Sequence, residues 1–143
     1  MEIRRTALVL HPAMDMFRLV QDVPSYPNFL TWCQKSEVHE QSPDHQLASL
    51  VVKVSGVTQT FTTRNRFVPG ERLTLSLVDG PFKHLSGEWL FDQLGDEGSK
   101  VTLVLNFDFS SRMLSSAFRR GFTHIADRLV HEFSKRADDV YGS

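Results

Sequence analysis

The stretch 112–141 limits the fold more than any other part of the chain, because it is the one long, uninterrupted segment with helical periodicity. Leu114, Phe118, Phe122, Ile125, Leu129, Phe133 and Val140 recur at steps of three and four or their sums, and Ala117, Ala126, Val130, Ala137 and Tyr141 widen the stripe. Arg119, Arg120, Asp127, Arg128, Glu132, Lys135, Arg136 and Asp138 fall mostly off it. Such a helix is about 40 Å long, enough to cross a small domain. One face must meet water and the other an apolar surface broad enough to cover it, which here means a sheet. Ser110 or Ser111 is placed to cap its first free N–H groups. Gly121 lies inside it at a cost of about 1 kcal/mol against alanine. It therefore marks a close approach to backbone or room for a ligand, tight helix-on-strand packing being the plainer of the two.

The preceding residues supply the sheet. Residues 2–10 alternate as a strand, and Pro12 opens a first helix in which Met14, Phe17 and Val20 recur every three residues. Pro24 stops it, and Ser25-Tyr26-Pro27-Asn28 restarts the chain into a short second helix over 29–32. From Cys33 onward the period changes to two. Turn signals recur at Ser42-Pro43-Asp44, Ser55-Gly56, Pro69-Gly70, Asp79-Gly80-Pro81 and 95–98, which divides this part into six antiparallel strands. Val101, Leu103, Leu105, Phe107 and Phe109 share one face of the last of them, and Leu73, Leu75 and Leu77 alternate with Arg72, Thr74 and Ser76 in another. Leu85, Gly87, Trp89 and Phe91 also share a face, with Gly87 leaving space under a ring or permitting a bend. The expected class is α+β: a curved antiparallel sheet of seven strands, in the order strand, two short helices, six strands, long helix, wrapped around the terminal helix with a hollow between.

The strand 58–67 is unusual, because Gln59, Phe61, Thr63, Asn65 and Phe67 share one face while Thr58, Thr60, Thr62, Arg64 and Arg66 share the other. If the phenylalanines point inward, Thr63 and Asn65 go with them. Buried polar groups need partners, so these two meet each other, trapped water, or the polar end of a bound molecule.

Composition narrows the function. A chain of 143 residues without linker, repeat or low-complexity run is expected to form a single domain over 1–143. Eleven Phe against two Tyr suggests a core or cavity prepared for apolar surface. A net charge of −1 is not the field of a protein that holds nucleic acid by neutralising phosphates, so DNA is not an expected partner. The single cysteine, Cys33, cannot form an intramolecular disulfide and points to a reducing compartment. The apolar run at 7–10 is too short for a signal peptide, and nothing later approaches a membrane span.

Catalytic signatures are lacking: there is no G-x-S-x-G elbow, no H-E-x-x-H and no glycine-rich phosphate loop. No catalytic residue and no metal site is expected. His124, Asp127 and His131 share a helical face at metal-like spacing, but that face lies opposite the apolar stripe and reads as a solvated one. Asp79-Gly80-Pro81 reads as a turn at the mouth of the sheet, with Phe82 as its gate.

Four blocks of the chain carry a likeness to a known family. They are Met16-Phe17-x-Leu19-Val20-x-Asp22-Val23-x-x-Tyr26-Pro27-x-Phe29-Leu30-x-Trp32-Cys33, then Thr60-Phe61-Thr62-Thr63-Arg64-Asn65, then Asp79-Gly80-Pro81-Phe82-x-x-Leu85-x-Gly87-x-Trp89-x-Phe91, and last Phe107-x-Phe109 with Phe133-x-x-Arg136-Ala137-x-x-x-Tyr141. In this order they resemble the helix-grip (START-like, Bet v 1-like, SRPBCC) proteins of the polyketide cyclase/coenzyme Q-binding group, and within it the bacterial ribosome association toxin branch. The resemblance implies an apolar cavity between sheet and long helix. In coenzyme Q-binding members it implies a ubiquinone ligand that supports respiration, and in toxin members binding to the large ribosomal subunit that blocks subunit association.

The expectation that follows is a carrier or chaperone for a hydrophobic small molecule, a polyprenyl quinone or related lipid, rather than an enzyme. Ubiquinone is its ligand, and no cofactor is implied. The expected lining is Phe17, Tyr26, Phe29, Trp32, Phe61, Phe67, Leu75, Leu77, Trp89, Phe118, Phe122 and Ile125, with Thr63 and Asn65 for the polar head and Phe82 and Gly121 as gates. The alternative is a toxin-like protein that contacts the large ribosomal subunit through Arg64, Arg66, Arg72, Arg112, Arg119 and Arg120. A polyketide cyclase, with Asn65 and Thr63 orienting the substrate, is the weakest of the three. The expected location is the bacterial cytoplasm, with transient contact at the inner-membrane surface.

Overall fold

The computed structural model describes residues 1–110 and 114–142. Seven strands, β1 (Glu2–Val9), β2 (Cys33–Gln41), β3 (His45–Val54), β4 (Val57–Val68), β5 (Arg72–Asp79), β6 (Phe82–Leu94) and β7 (Gly98–Phe109), form one antiparallel sheet in the order β1-β7-β6-β5-β4-β3-β2. From β2 to β7 the chain is a meander, and each expected turn separates two of its strands. At Ser55-Gly56 both residues have positive φ, the geometry of a tight two-residue hairpin whose twist matches its strands. The one long connection crosses from β1 at one edge to β2 at the other. It carries helix α1 (Ala13–Gln21) and a 3-10 helix (Val23–Asn28).

The second short helix is therefore earlier and tighter than the expected 29–32. Pro24 and Pro27 both lie within it, where i to i+3 bonds such as Ser25 N to Asp22 O and Phe29 N to Tyr26 O bypass the missing prolyl donors. By Trp32 the chain already lies along the sheet edge, its carbonyl accepting from Lys53 N at 2.9 Å.

Helix α2 spans Ser116–Tyr141 and packs on β1, β3, β7 and α1. Its cap is Ser115, whose Oγ accepts from Phe118 N at 3.1 Å. Of the expected caps, Ser110 instead donates its amide to Pro81 O, while Ser111 and the expected first residue Arg112 lie outside the described residues. The buried line of α2 runs Phe118, Phe122, Ala126, Val130, Phe133, Ala137. It is turned from the expected stripe toward the small residues, because alanine lets the helix approach its neighbours. Val140, expected on the stripe, is 47% exposed one turn beyond the last buried residue. His11 Nε2, 2.8 Å from Asp138 Oδ1, ties this end of the helix to the link between β1 and α1.

Strand pairing sets side chains in rows across the concave face. Gln46, Asn65, Leu75, Gly87, Leu105 and Ile3 form one row, and Phe67, Leu73, Trp89 and Leu103 another. Beneath α2 the core is dominated by phenylalanine. Phe107, Phe118 and Phe133 are each buried almost completely, worth about 1.5–3 kcal/mol apiece in apolar burial. The β4–β5 pairing shifts register between Thr62 and Thr63, a bulge beside the inward-facing Thr63.

Candidate functional site

A cavity of about 100 Å³ lies between the concave sheet, the 3-10 helix and α2. Val20, Val23, Tyr26 and Trp32 close it on the crossover side, and Ala48, Leu50, Phe61, Thr63, Asn65, Leu73, Leu75, Leu85, Trp89 and Leu105 on the sheet side. Helix α2 supplies Phe122, Ile125, Ala126, Leu129 and Phe133. Two of the cavity's wall residues, Leu75 and Leu105, pack over a glycine. Gly87 stands between Leu75 and Leu105 in the row, and a Cβ on it would lie 2.8 Å from Leu105 Cδ1 and 3.3 Å from Leu75 Cγ. The small residues Ala48 and Ala126 are also part of the cavity wall. Trp32, Leu50, Phe61, Leu75, Ile125 and Leu129 are only half-buried, so the rim lies between α2 and strands β3 to β5. The cavity falls below the roughly 300–1,000 Å³ of a site that encloses a drug-sized ligand. It has room for a ring or a short chain, and anything longer must leave through the rim.

One corner of this apolar space is polar. Thr63 Oγ1 donates to Asn65 Oδ1 at 2.9 Å, and Asn65 Nδ2 donates to Gln46 Oε1 at 2.9 Å. Gln46 Nε2 in turn donates to Gln41 Oε1 at 2.9 Å and to the Gln21 carbonyl at 3.1 Å. Of the three partners open to Thr63 and Asn65 from sequence, the first holds, extended by Gln46. Nearby, the Tyr26 hydroxyl donates to the Val20 carbonyl. Burial first, then the neighbouring Cys33 and Asp22, push its phenol far above the ordinary value and keep it neutral. Burial likewise pushes the Cys33 thiol up to about 11, against a smaller opposing effect of the Lys35 backbone.

Tyr26, Trp32, Phe61, Thr63, Asn65, Leu75, Trp89, Phe122 and Ile125 line the cavity as expected. Phe17, Phe29, Phe67, Leu77, Phe82, Phe118 and Gly121 do not, and packing explains each. Phe17 stands edge-on between Phe67 and Phe91. Phe29 packs on Tyr26 and Phe133 with the Arg136 guanidinium 4.9 Å from its ring centre. Phe82 is no gate: it is buried among Phe61, Phe107, Phe109 and Phe122. Phe118 lies between Phe109 and Phe122, and Leu77 sits beside the turn at Gly80. Gly121 is the close approach rather than ligand room, because a Cβ there would overlap Val54 Cγ1 on β3. Gln46, Val20, Val23, Ala48, Leu50, Leu73, Leu85, Leu105, Ala126, Leu129 and Phe133 were not anticipated as wall or support. For the strand residues the alternation already indicates an inward face. Which inward residues lie over a void is set by how the elements pack in three dimensions.

Elsewhere, Asp127 pairs with Arg5 while His124 and His131 face solvent. Among the described residues no group of His, Cys, Asp and Glu is placed to hold a metal, and no helix is long and apolar enough to cross a membrane. Of the basic residues, Arg64 donates to His45 Nε2 at 2.9 Å, Arg72 pairs with Glu88 at 2.9 Å, and Arg119 lies over the Phe109 ring. Arg66 and Arg120 are exposed, and Arg112 lies outside the described residues.

A curved antiparallel sheet closed over a small apolar cavity by one long helix is the helix-grip, START-like architecture. The chain belongs to the polyketide cyclase / dehydrase and lipid transport family, which it matches over residues 9–134. It is 46% identical over 141 residues to the ribosome association toxin RatA of Vibrio cholerae, an alignment covering 99% of this chain and 98% of that one. It is 28% identical over 130 residues to the mitochondrial coenzyme Q-binding protein COQ10 of Drosophila melanogaster, covering 88% of this chain and 54% of that one. Among solved structures, the Zhui aromatase/cyclase from Streptomyces sp. R1128 superposes with a TM-score of 0.83 at 21% identity, covering 96% of this chain and 93% of that one. That likeness concerns the fold.

Proposed function

We propose that the protein binds a hydrophobic small molecule with a polar head, of the polyprenyl quinone or lipid class, as a carrier or chaperone rather than as an enzyme. The observation that carries this is an apolar cavity with a single hydrogen-bonding corner at Thr63 and Asn65. The head group enters the cavity and the tail leaves between α2 and β3 to β5. The likeness to a coenzyme Q-binding protein supports ubiquinone as the ligand. Thr63 and Asn65 can orient a head group but offer neither a nucleophile nor a base, and the neutral Tyr26 phenol already donates to backbone, so binding is favoured over ring closure. The protein would work in the bacterial cytoplasm, loading at the inner-membrane surface. Native mass spectrometry of the purified protein, with organic extraction of what it carries, tests this. Recovery of a stoichiometric quinone or lipid is expected, and a chain that never carries or takes up one rules the proposal out.

A second activity is favoured by a separate observation, the likeness to a ribosome association toxin over nearly the whole of both chains. In this reading the protein also contacts the large ribosomal subunit, with Arg66 and Arg120 among the exposed cations available to phosphates. Sedimentation through sucrose with isolated large subunits at low salt should show comigration that is lost as salt rises. Failure to comigrate at low salt removes this activity and leaves the first untouched.

A further inference from the structure

The polar corner has a direction that is fixed by two backbone carbonyls. Gln46 Nε2 is 3.1 Å from the Gln21 carbonyl oxygen, and Gln41 Nε2 is 3.1 Å from that of Ser42. A carbonyl oxygen only accepts, so the side-chain atom facing each must be the amide nitrogen. With Gln41 so oriented, its Oε1 accepts the second N–H of Gln46 at 2.9 Å. Gln46 Oε1 is then an acceptor, and the Asn65 atom 2.9 Å from it is Nδ2. Asn65 Oδ1 consequently faces Thr63 and takes its hydroxyl proton at 2.9 Å. Gln46 is 1% exposed and Asn65 6%, so the chain of bonds is held inside the protein. At the cavity end, Thr63 Oγ1 has committed its proton inward and presents lone pairs. Asn65 Nδ2 keeps a second N–H beyond the one given to Gln46.

We propose that this corner recognises a hydroxyl group, so that the site holds its ligand in a hydroxyl-bearing form, a quinol, phenol or alcohol, in preference to a quinone. The proposal rests on the small-molecule reading above and adds the chemistry of the head group. A ligand hydroxyl donates to Thr63 Oγ1 and accepts from Asn65 Nδ2–H, which satisfies both. A ligand carbonyl can accept from Asn65 Nδ2–H as a hydroxyl does, but it supplies no donor to Thr63 Oγ1 and sets its lone pairs against those of that oxygen. Rotating the Thr63 hydroxyl toward that carbonyl strips Asn65 Oδ1 of its donor, so the mismatch moves without being relieved. Sites that pair a hydroxyl in this way discriminate against the analogue lacking it, because buried polar groups are left unpaired.

Two probe pairs test this in the full chain by fluorescence titration: decyl-benzoquinol against decyl-benzoquinone, and the redox-inert pair 4-octylphenol against 4-octylanisole. In each pair the hydroxyl member should bind at least about tenfold more tightly. That preference should largely vanish in the near-isosteric Thr63→Val, with the fold confirmed by circular dichroism, and persist in Thr63→Ser. Saturable binding with no preference in either pair overturns the proposal while the small-molecule reading stands. An undiminished preference in Thr63→Val overturns the assignment to Thr63. No saturable binding of any of the four probes overturns both.

Discussion

Asn65 is the middle link between Thr63 and Gln46, and this decides what its removal does. From sequence, Asn65→Leu is expected to relieve a desolvation cost in the empty protein. The structure reverses the sign, because leucine would leave the Thr63 hydroxyl and Gln46 Oε1 buried without their partner, a loss of about 1–3 kcal/mol. Urea denaturation of the variant checks this, and a midpoint equal to the parent's would mean that the bonds contribute nothing. Trp89 is 3% exposed and packs on Phe133 and Phe91, so Trp89→Ala should lower stability by about 3–5 kcal/mol. An unchanged thermal midpoint would remove Trp89 from the core. Cys33 adds a pH dependence. Its thiol is raised from 9.0 to about 11, so in that interval the folded state binds more protons than the unfolded state. Its contribution is complete below pH 9.0 and falls as pH rises toward 11. Denaturation across this range should therefore show a shallower decline for Cys33→Ala than for the parent, and parallel declines would contradict the burial. The inward placement of Thr63, Asn65 and Trp89 is legible in the alternation. The partnership with Gln46 is not, since it depends on the β3–β4 register that pairs Gln46 with Asn65.

Helix α2 meets the β3–β4 hairpin at Gly121, where the fit against Val54 leaves no room for a methyl. Gly121→Ala gains about 1 kcal/mol of helix propensity but overpacks at a cost of about 1–3 kcal/mol, so the net effect should be destabilising. Val54→Ala removes the obstructing methyls. In a double-mutant cycle the pair should be more stable than the sum of the two losses implies, by about 1 kcal/mol or more. Strict additivity would contradict the contact. At this scale the meander from β2 to β7 could be read from its turn residues and its period of two, because both are local. The 3-10 helix could not, since Pro24 and Pro27 read as a stop and a restart although both lie inside it. The rotation of the α2 stripe was hidden for a different reason. Ile125 and Leu129 are large and apolar but only half-buried at the cavity, while the smaller Ala126, Val130 and Ala137 are buried.

For the molecule as a whole, the four sequence blocks were enough to indicate a sheet wrapped on a helix, because they mark its two ends and the strands between. The void was not legible in them. Its walls are drawn from the crossover, from β3 to β7 and from α2, a coincidence of tertiary structure that no local pattern records. The central claim, that this void receives a small hydrophobic molecule, has a built-in reporter: the two tryptophans of the chain, Trp32 and Trp89, both line it. Titrating the protein with a short-chain quinone while following tryptophan emission tests the claim most directly. Quenching should saturate at one equivalent, and Gly87→Ala, whose methyl would press on Leu105 and Leu75 at the cavity wall, should weaken it. Quenching that rises linearly without saturation, as it does for free tryptophan in solution, and that is the same in Gly87→Ala, would contradict the account.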